Sequence, residues 1–203
     1  MTWTPPTLVI ALHGYEDDPA DLAALLEPLD VDGQAIVALR GPIAAPNGPA
    51  WFTSDDAGPV EAELRQSLDV LRVLIDRTAA DYGVDRSAVV LGGFSQGAVA
   101  ALAFALSDAG AAAPFAGLFC ISGYLLHAES IDYDIAGLAA GGTPTLVVHG
   151  ADDDVVAVQQ GRSVARLLER RGVAVDYVEV DGDHHLGAVA VDALGAWLSA
   201  LDD

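Results

Sequence analysis

The stretch that decides the fold of this 203-residue chain runs from Val89 to Ala98 and reads Val-Val-Leu-Gly-Gly-Phe-Ser-Gln-Gly-Ala. Its apolar beginning, Ala88–Leu91, predicts a buried strand, and the Ala-rich segment that follows predicts a helix. Gly93 and Gly97 flank Ser95 between them. Gly-x-Ser-x-Gly in this context is typical of a sharp turn that presents the serine at a strand tip. Such a turn leaves no room for side chains at its flanking positions.

Apolar strand-like runs alternate with helix-like segments on both sides of this stretch. The predicted strands are Thr7–Leu12, Gln34–Leu39, Ala88–Leu91, Phe115–Ile121, Thr145–His149 and Ala174–Val180. The predicted helices are Pro19–Pro28, Val60–Tyr82, Gln96–Leu106, Val158–Arg171 and Gly187–Leu201. This alternation predicts an α/β fold with a mostly parallel central sheet and helices on both faces. We expect a single domain over residues 1–203, in which Gly41–Gly58 and Leu125–Gly142 are irregular.

Polar residues that directly follow a predicted strand are the candidates for chemistry, because ligands bind at the carboxyl ends of parallel strands. A serine nucleophile needs a general base and an acid that orients it, in the chain order Ser, Asp or Glu, His for this kind of turn. After Ser95, the strand ends carry Asp152–Asp154 and then Asp183, His184 and His185. The residues alone leave open which of the three consecutive acids and which of the two histidines would act.

Two backbone N–H groups are needed to bind the oxyanion that such a serine would generate. One comes from the residue after the nucleophile, which is Gln96, and the other from a loop after an early strand. Gly14 and Tyr15 follow the first predicted strand, and Gly14 lets the backbone approach a ligand closely. We therefore expect the amides of Tyr15 and Gln96 to form an oxyanion hole.

The composition is strongly acidic. Thirty Asp and Glu residues face nine Arg, there is no Lys, and the formal net charge is −21. Such a surface disfavours binding to nucleic acid and to anionic membranes, because both attract Lys and Arg. Repulsion between so many carboxylates is screened only at high ionic strength, which indicates a halophilic protein.

The sequence carries no sign of membrane insertion or export. Its apolar runs are shorter than the ~20 residues that span a bilayer, and no signal peptide is readable. We therefore expect a cytoplasmic protein. The single cysteine, Cys120, cannot form an intrachain disulfide and is predicted to be a buried apolar residue.

Several motifs, in this order along the chain, resemble the phospholipase/carboxylesterase family of α/β-hydrolases. That family contains small bacterial carboxylesterases and acyl-protein thioesterases. The motifs are Leu12-His13-Gly14, Leu39-Arg40-Gly41-Pro42, Ala50-Trp51-Phe52, Gly93-Phe94-Ser95-Gln96-Gly97, His149-Gly150-x-x-Asp-x-x-Val and Gly195-Ala196-Trp197-Leu198. The resemblance extends from Leu8 to Leu198.

The resemblance implies a cofactor-free serine carboxylesterase that forms an acyl-enzyme on Ser95. Because no insertion is large enough for a substantial lid, we expect short- to medium-chain esters. We expect no catalytic metal, because three consecutive acids cannot all face one ion. The motif register then distinguishes between the neighbouring candidates. It selects Asp153 as the acid and His184 as the base. Two alternatives remain: an acyl-protein or acyl thioesterase or lysophospholipase of the same family, and a non-catalytic binding protein with this fold. The expected partner is a small-molecule ester. A homodimer is compatible with the resemblance, although no apolar stripe demands one.

Three further residues are predicted to contact the substrate. The resemblance implies that Trp51 forms an aromatic wall beside the acyl pocket. Gly14 lies in the loop of the expected oxyanion hole. Leu125 belongs to the loop Leu125–Ile131, whose leucines are candidates for the pocket wall.

The chain departs from the family pattern at the mouth of the site. Relatives often have glycine before the catalytic histidine, where this chain has Asp183, whose carboxylate would favour the imidazolium. The early loop has Glu16, Asp17 and Asp18 in place of a second glycine. Acyl-CoA and anionic lipids are therefore expected to be poor substrates unless salt screens these charges.

The acidic composition predicts that salt stabilises the folded state. Raising KCl from dilute buffer to about 1 M shortens the Debye length to about 3 Å, which screens the repulsion between surface carboxylates. We expect the urea concentration at the midpoint of unfolding to rise with KCl. Urea is used because it is uncharged and does not change the ionic strength. An unchanged midpoint between dilute buffer and molar KCl would contradict the halophilic interpretation.

Overall fold

The centre of the molecule is a six-stranded sheet in which every pair of neighbouring strands is parallel. The computed structural model describes residues 7–29, 34–107 and 114–201. Across the sheet, the strands are β2 (Ala35–Leu39), β1 (Leu8–Leu12), β7 (Val89–Phe94), β8 (Gly117–Ile121), β9 (Thr145–Gly150) and β10 (Val175–Val180). Two small antiparallel hairpins lie outside the sheet and consist of β3 (Ile43–Ala44) with β4 (Pro49–Ala50), and β5 (Ser54–Asp55) with β6 (Gly58–Pro59).

Six α-helices pack around the sheet in the part of the chain that the structure describes. They are α1 (Pro19–Leu26), α2 (Glu61–Tyr82), α3 (Gln96–Leu106), α4 (Ile135–Gly141), α5 (Val158–Arg170) and α6 (Ala188–Leu201). Short 3-10 turns follow α1 at Glu27–Leu29 and precede β7 at Arg86–Ala88. Among the helices of the described ranges, none combines the length and the apolarity needed to cross a membrane.

Both faces of the sheet carry an apolar layer, because alternate residues of a strand point to opposite faces. In β1, Leu8, Ile10 and Leu12 pack in the same cluster as residues of α2 to α5, whereas Val9 and Ala11 pack with α1 and α6. All five residues of β1 are fully buried. These contacts confirm the predicted α/β fold, with a parallel sheet and helices on both faces.

The strand order places the loops after β1 and β7 next to each other. Strand β2 pairs with one edge of β1. After the two hairpins and α2, the chain returns to the sheet, and β7 pairs with the other edge of β1. Leu12 pairs with Gly93, so the carboxyl ends of β1 and β7 lie side by side. Such a switch point opens a crevice between two loops, which is where α/β sheets of this kind bind ligands.

The predicted strands and helices are all present, with ends that differ by a few residues at most. Both stretches that we expected to be irregular contain regular elements. The hairpins of β3 with β4 and of β5 with β6 fall in Gly41–Gly58, apart from Pro59 at the end of β6. Helix α4 lies within Leu125–Gly142. It is short and contains two glycines, so it has no periodic apolar stripe. Local capping defines its ends instead: the Asp134 carboxylate accepts the N–H of Gly137 at 2.8 Å, and Gly142 follows with a φ of 71°.

Candidate active site

Ser95 lies on a strained turn between β7 and α3. Its backbone has a φ of 53° and a ψ of −121°, a conformation that residues with side chains rarely adopt. Such a conformation costs about 1–3 kcal/mol and persists only where the surroundings enforce it. Here the Ser95 N–H donates to the carbonyl of Ile121 on β8 at 2.9 Å, which fixes the turn against the neighbouring strand. The predicted nucleophile therefore sits at the carboxyl edge of the sheet.

The two glycines that flank Ser95 are required by the close approach of β1. A Cβ atom at Gly97 would collide with the carbonyl groups of Leu12 and His13, and one at Gly93 would lie 2.5 Å from the Leu12 oxygen. Neither glycine has a positive φ. Glycine at 97 is therefore required by the packing of β1. Glycine at 93 is required both by that packing and by the sharp turn, because its Cβ would also lie 2.7 Å from the carbonyl carbon of Gly97.

His184 joins Ser95 to Asp153. Its Nε2 lies 2.8 Å from Ser95 Oγ, and its Nδ1 lies 2.7 Å from Asp153 Oδ2. In a neutral imidazole, both contacts are satisfied when Nδ1–H donates to the carboxylate and Nε2 accepts from the hydroxyl. Asp153 follows β9 and His184 follows β10, so the parallel sheet brings residues from three strand ends into one chain of hydrogen bonds.

The geometry distinguishes the candidates that the residues alone left open. Asp152 and Asp154 are exposed, whereas the side chain of Asp153 is fully buried. The ring of His185 turns to solvent, 80% exposed, and its Nδ1 lies 2.6 Å from Asp183 Oδ1. Asp183 therefore pairs with His185 and not, as we expected, with the histidine next to the serine.

Asp153 remains ionised despite its burial. Burial alone would raise its pKa, but hydrogen bonds from the His184 ring and from the backbone N–H groups of Val156 and Val155 outweigh that effect, and the pKa is lowered. Val155 N–H and Val156 N–H both donate to Oδ1, at 3.0 and 2.7 Å, which leaves Oδ2 for His184. At neutral pH the carboxylate is thus charged, and its orientation is fixed by three donors.

The expected oxyanion hole lies beside the serine. Gln96 is the first residue of α3, and Tyr15 belongs to the loop that leaves β1 next to the Ser95 turn. Within residues 7–29, 34–107 and 114–201, the backbone N–H groups of Tyr15 and Gln96 have no hydrogen-bond acceptor. Two unpaired donors at the start of a helix and in an adjacent loop suit an anion.

His13 fixes the backbone of this loop. Its Nε2 accepts the N–H of Gly41 at 2.9 Å, so its Nδ1 carries the proton and donates to the carbonyl of Gly14 at 2.6 Å. Burial lowers the pKa of His13, which keeps the ring neutral and both hydrogen bonds intact. The loop is also tied at Glu16, whose N–H donates to Pro49 at 2.9 Å.

Trp51 is buried beneath the Tyr15 loop and does not face the cavity as an aromatic wall. Its side chain is fully buried, its indole N–H donates to the carbonyl of His13 at 2.9 Å, and its backbone N–H donates to Gln96 Oε1 at 2.9 Å. The Gln96 side chain also donates to the carbonyl of Phe52 at 2.6 Å. Trp51 thereby couples the two halves of the expected oxyanion hole.

A cavity of about 580 Å³ opens at Ser95 and His184. It is lined by His13, Gly14, Tyr15, Asp17, Asp18, Asp21, Leu22, Leu25, Phe94, Ser95, Val155, His184, His185 and Leu186. Of the predicted substrate contacts, Gly14 lines this cavity, whereas Trp51 and Leu125 do not. Trp51 is held inside by its indole hydrogen bond, and Leu125 packs against the main core.

Sequence reasoning missed the apolar wall of this cavity. Leu22 and Leu25 come from α1, Phe94 precedes the serine, and Val155 and Leu186 lie in the loops of the acid and the base. Leu25 and Val155 are 49% and 69% exposed, so both present apolar surface at the cavity. The order of the chain could have indicated this wall. Helix α1 begins directly after the Tyr15 loop, so its first turns lie close to the opening of the cavity.

The acidic run after β9 has no clustered set of metal ligands in the described part of the chain. Within the described ranges, no three His, Cys, Asp or Glu side chains converge as metal ligands would. The expectation of a metal-free and cofactor-free enzyme stays a prediction.

Known proteins resemble this chain over most of its length. It matches the phospholipase/carboxylesterase family over residues 4–198. Acyl-protein thioesterase 1 homolog 1 from Dictyostelium discoideum is 24% identical over 212 residues, which cover 97% of this chain and 91% of that protein. Acyl-protein thioesterase 1 from Kluyveromyces lactis is 33% identical over 137 residues, which cover 64% of this chain and 57% of the relative.

Solved structures share the fold. The crystal structure of esterase PE8 superposes with a TM-score of 0.82 at 26% identity and covers 98% of this chain and 94% of that one. The Bacillus cereus carboxylesterase superposes with a TM-score of 0.80 at 22% identity, covering 99% of this chain and 90% of that one. The family match spans nearly every residue and establishes that the chain belongs to the phospholipase/carboxylesterase family of α/β-hydrolases.

Proposed function

We propose that this chain is a serine carboxylesterase that hydrolyses short- to medium-chain carboxylic esters through an acyl-enzyme on Ser95. The observation that carries the proposal is the continuous chain of hydrogen bonds from Ser95 Oγ through His184 to Asp153, beside an apolar-walled cavity. Membership of a family of hydrolases supports the reaction class.

In the acylation half-reaction, Ser95 Oγ attacks the acyl carbon while His184 Nε2 accepts the hydroxyl proton. The negative charge that develops on the carbonyl oxygen is bound by the amides of Tyr15 and Gln96. Asp153 stabilises the imidazolium that forms. The tetrahedral intermediate then expels the alcohol, which takes its proton from His184, and the acyl group remains on Ser95 as an ester.

Deacylation repeats these steps with water as the nucleophile. Water attacks the acyl carbon and gives its proton to His184, and the same two amides bind the oxyanion. Collapse of the intermediate returns the proton to Ser95 Oγ and releases the carboxylic acid. The cavity of about 580 Å³ lies within the range of about 300–1,000 Å³ typical of small-molecule pockets, which supports small substrates.

The thioesterase alternative is favoured by the two relatives that carry that name. It uses the same residues and differs only in the leaving group. The distinguishing measurement compares an ester and a thioester of the same acyl chain, with each kcat/KM divided by the uncatalysed hydrolysis rate. A larger ratio for the thioester would replace the carboxylesterase proposal with the thioesterase.

The triad assignment predicts which variants lose activity. Ser95→Ala and His184→Ala are expected to lower kcat for p-nitrophenyl butyrate by about 10⁴-fold or more, because each removes a member of a unit that acts together. Ser95→Ala is also expected to abolish labelling by a fluorophosphonate. Circular dichroism of each variant checks that the fold is retained.

His185→Ala is the matched control for the base, because His185 is adjacent in sequence and its ring is exposed. It is expected to keep kcat within about tenfold of wild type, a difference of about 1.4 kcal/mol in the activation barrier. An equal loss from the two histidine variants would sink the assignment of His184. A folded wild type that the fluorophosphonate never labels would favour the non-catalytic binding protein.

The acids at the cavity mouth predict discrimination against anionic substrates. Asp17, Asp18 and Asp21 line the cavity and are exposed. In dilute buffer, p-nitrophenyl hemisuccinate is expected to react with a kcat/KM at least about tenfold below that of p-nitrophenyl butyrate, which has an equally long neutral acyl chain. Molar KCl should narrow the gap, because it screens these charges.

A double variant that neutralises two of these acids tests whether they cause the discrimination against the anionic substrate. Asp17→Asn combined with Asp21→Asn should raise kcat/KM for the hemisuccinate and leave the butyrate unaffected. Asp18 is kept, because its carboxylate caps α1 by accepting the N–H of Ala20 at 2.8 Å. Asp56→Asn combined with Asp85→Asn removes the same charge from exposed positions that do not line the cavity, and equal relief by this control pair would attribute the selectivity to net charge alone.

A further inference from the structure

His149 is a buried histidine that the proposed mechanism does not use. It lies near the end of β9, and its side chain is fully buried. Its Nε2 lies 2.7 Å from the carbonyl oxygen of Val156 and 3.4 Å from Asp153 Oδ2. In the sequence it stands in the motif His149-Gly150-x-x-Asp-x-x-Val. The triad acid is thus flanked by two imidazole rings, His184 on one side and His149 on the other.

The contacts of His149 determine its tautomer. Because a carbonyl oxygen accepts from Nε2, that nitrogen carries the proton. Nδ1 has no hydrogen-bond partner among the described residues. The ring is packed against α5 at Gly161, where a Cβ atom would lie 2.5 Å from Nδ1. Glycine inside a helix is destabilising by roughly 0.5–1 kcal/mol relative to alanine, so this glycine serves to admit the ring.

The His149 hydrogen bond completes the support of the acid loop, which connects β9 to α5. Backbone hydrogen bonds hold the first half of this loop. The Ala151 N–H donates to the carbonyl of Val180 at 2.8 Å, and the Asp152 N–H donates to the carbonyl of Gly182 at 2.9 Å. In the described part of the chain, the second half is held by side chains. Its amides donate to Asp153 Oδ1, and the carbonyl of Val156 accepts from His149.

The peptide groups of Val156 transmit this support to the catalytic carboxylate. The N–H of Val156 donates to Asp153 Oδ1 at 2.7 Å, and its carbonyl accepts the Nε2–H of His149. Without the His149 donor, the carbonyl of the half-buried Val156 would lose this partner, and the loop would gain freedom to move away from Asp153. A displacement of about 1 Å at a catalytic group can lower the rate by about 10²-fold.

We propose that His149 is a positioning residue that holds Asp153 in place through the carbonyl of Val156. The inference rests on the proposed function, because it assigns His149 a role in the orientation of His184. The group that matters is an N–H donor at the position of Nε2, and neither the charge nor the aromatic character of the ring is required.

Two variants with side chains of similar length distinguish the role of the His149 N–H donor from the role of the side-chain volume. His149→Gln keeps an N–H donor near the end of the side chain, whereas His149→Met has similar bulk and no donor. We expect His149→Met to lower kcat for p-nitrophenyl butyrate by about 10–100-fold with an unchanged KM, and His149→Gln to stay within about fivefold of wild type. The rate of fluorophosphonate labelling should fall in the same ratio. Thermal midpoints check that the two variants are equally folded.

Proton NMR provides a readout that does not depend on turnover. The hydrogen-bonded Nδ1 proton of His184 gives a downfield signal, which is assigned by its absence in His184→Ala. This signal should persist in His149→Gln and be lost or shifted in His149→Met. If wild type hydrolyses no ester, the proposed function fails, and the NMR comparison alone decides the role of His149. Equal behaviour of the Gln and Met variants, in rate and in the signal, would overturn the inference.

Discussion

The active-site architecture depends on one contact, the packing of the end of β1 against the turn that carries Ser95. The Leu12 carbonyl lies so close to Gly93 and Gly97 that neither position has room for a Cβ atom. The same contact brings the Tyr15 loop beside the serine. The strain at Ser95, about 1–3 kcal/mol, is modest beside the roughly 1.5–3 kcal/mol gained by burying each large apolar side chain of β1. The core can therefore hold the serine in an unfavourable conformation.

The remaining groups reach the serine because the sheet is parallel, so its loops leave from one edge. Two of these loops are held by buried polar side chains. His13 and Trp51 hold the loop of the expected oxyanion hole, and in our proposal His149 holds the loop of Asp153. These side chains are fully buried and bond to backbone carbonyls. Buried side chains thus hold the loops that carry the proposed catalytic groups, as preorganised sites require.

Continuous apolar runs and the Gly-x-Ser-x-Gly turn were sufficient to predict the sheet, five helices and the position of Ser95. Local spacing could not choose between His184 and His185, because that choice depends on where the loop after β10 turns. Local spacing also could not place Trp51, whose hydrogen-bond partner is 38 residues away in the chain. Helix α4 was missed because its stability comes from capping and packing rather than from an amphipathic stripe. The wall formed by Leu22 and Leu25 depends on how α1 folds over the site.

The central claim is that Ser95, His184 and the amides of Tyr15 and Gln96 form one acyl-transfer site. The most direct test is a crystal structure of the protein after reaction with a fluorophosphonate, whose adduct mimics the tetrahedral intermediate. The account predicts phosphorus bonded to Ser95 Oγ, with a phosphonyl oxygen about 2.7–3.1 Å from both amide nitrogens. An adduct on another residue, or one whose oxygen points away from both amides, would contradict it.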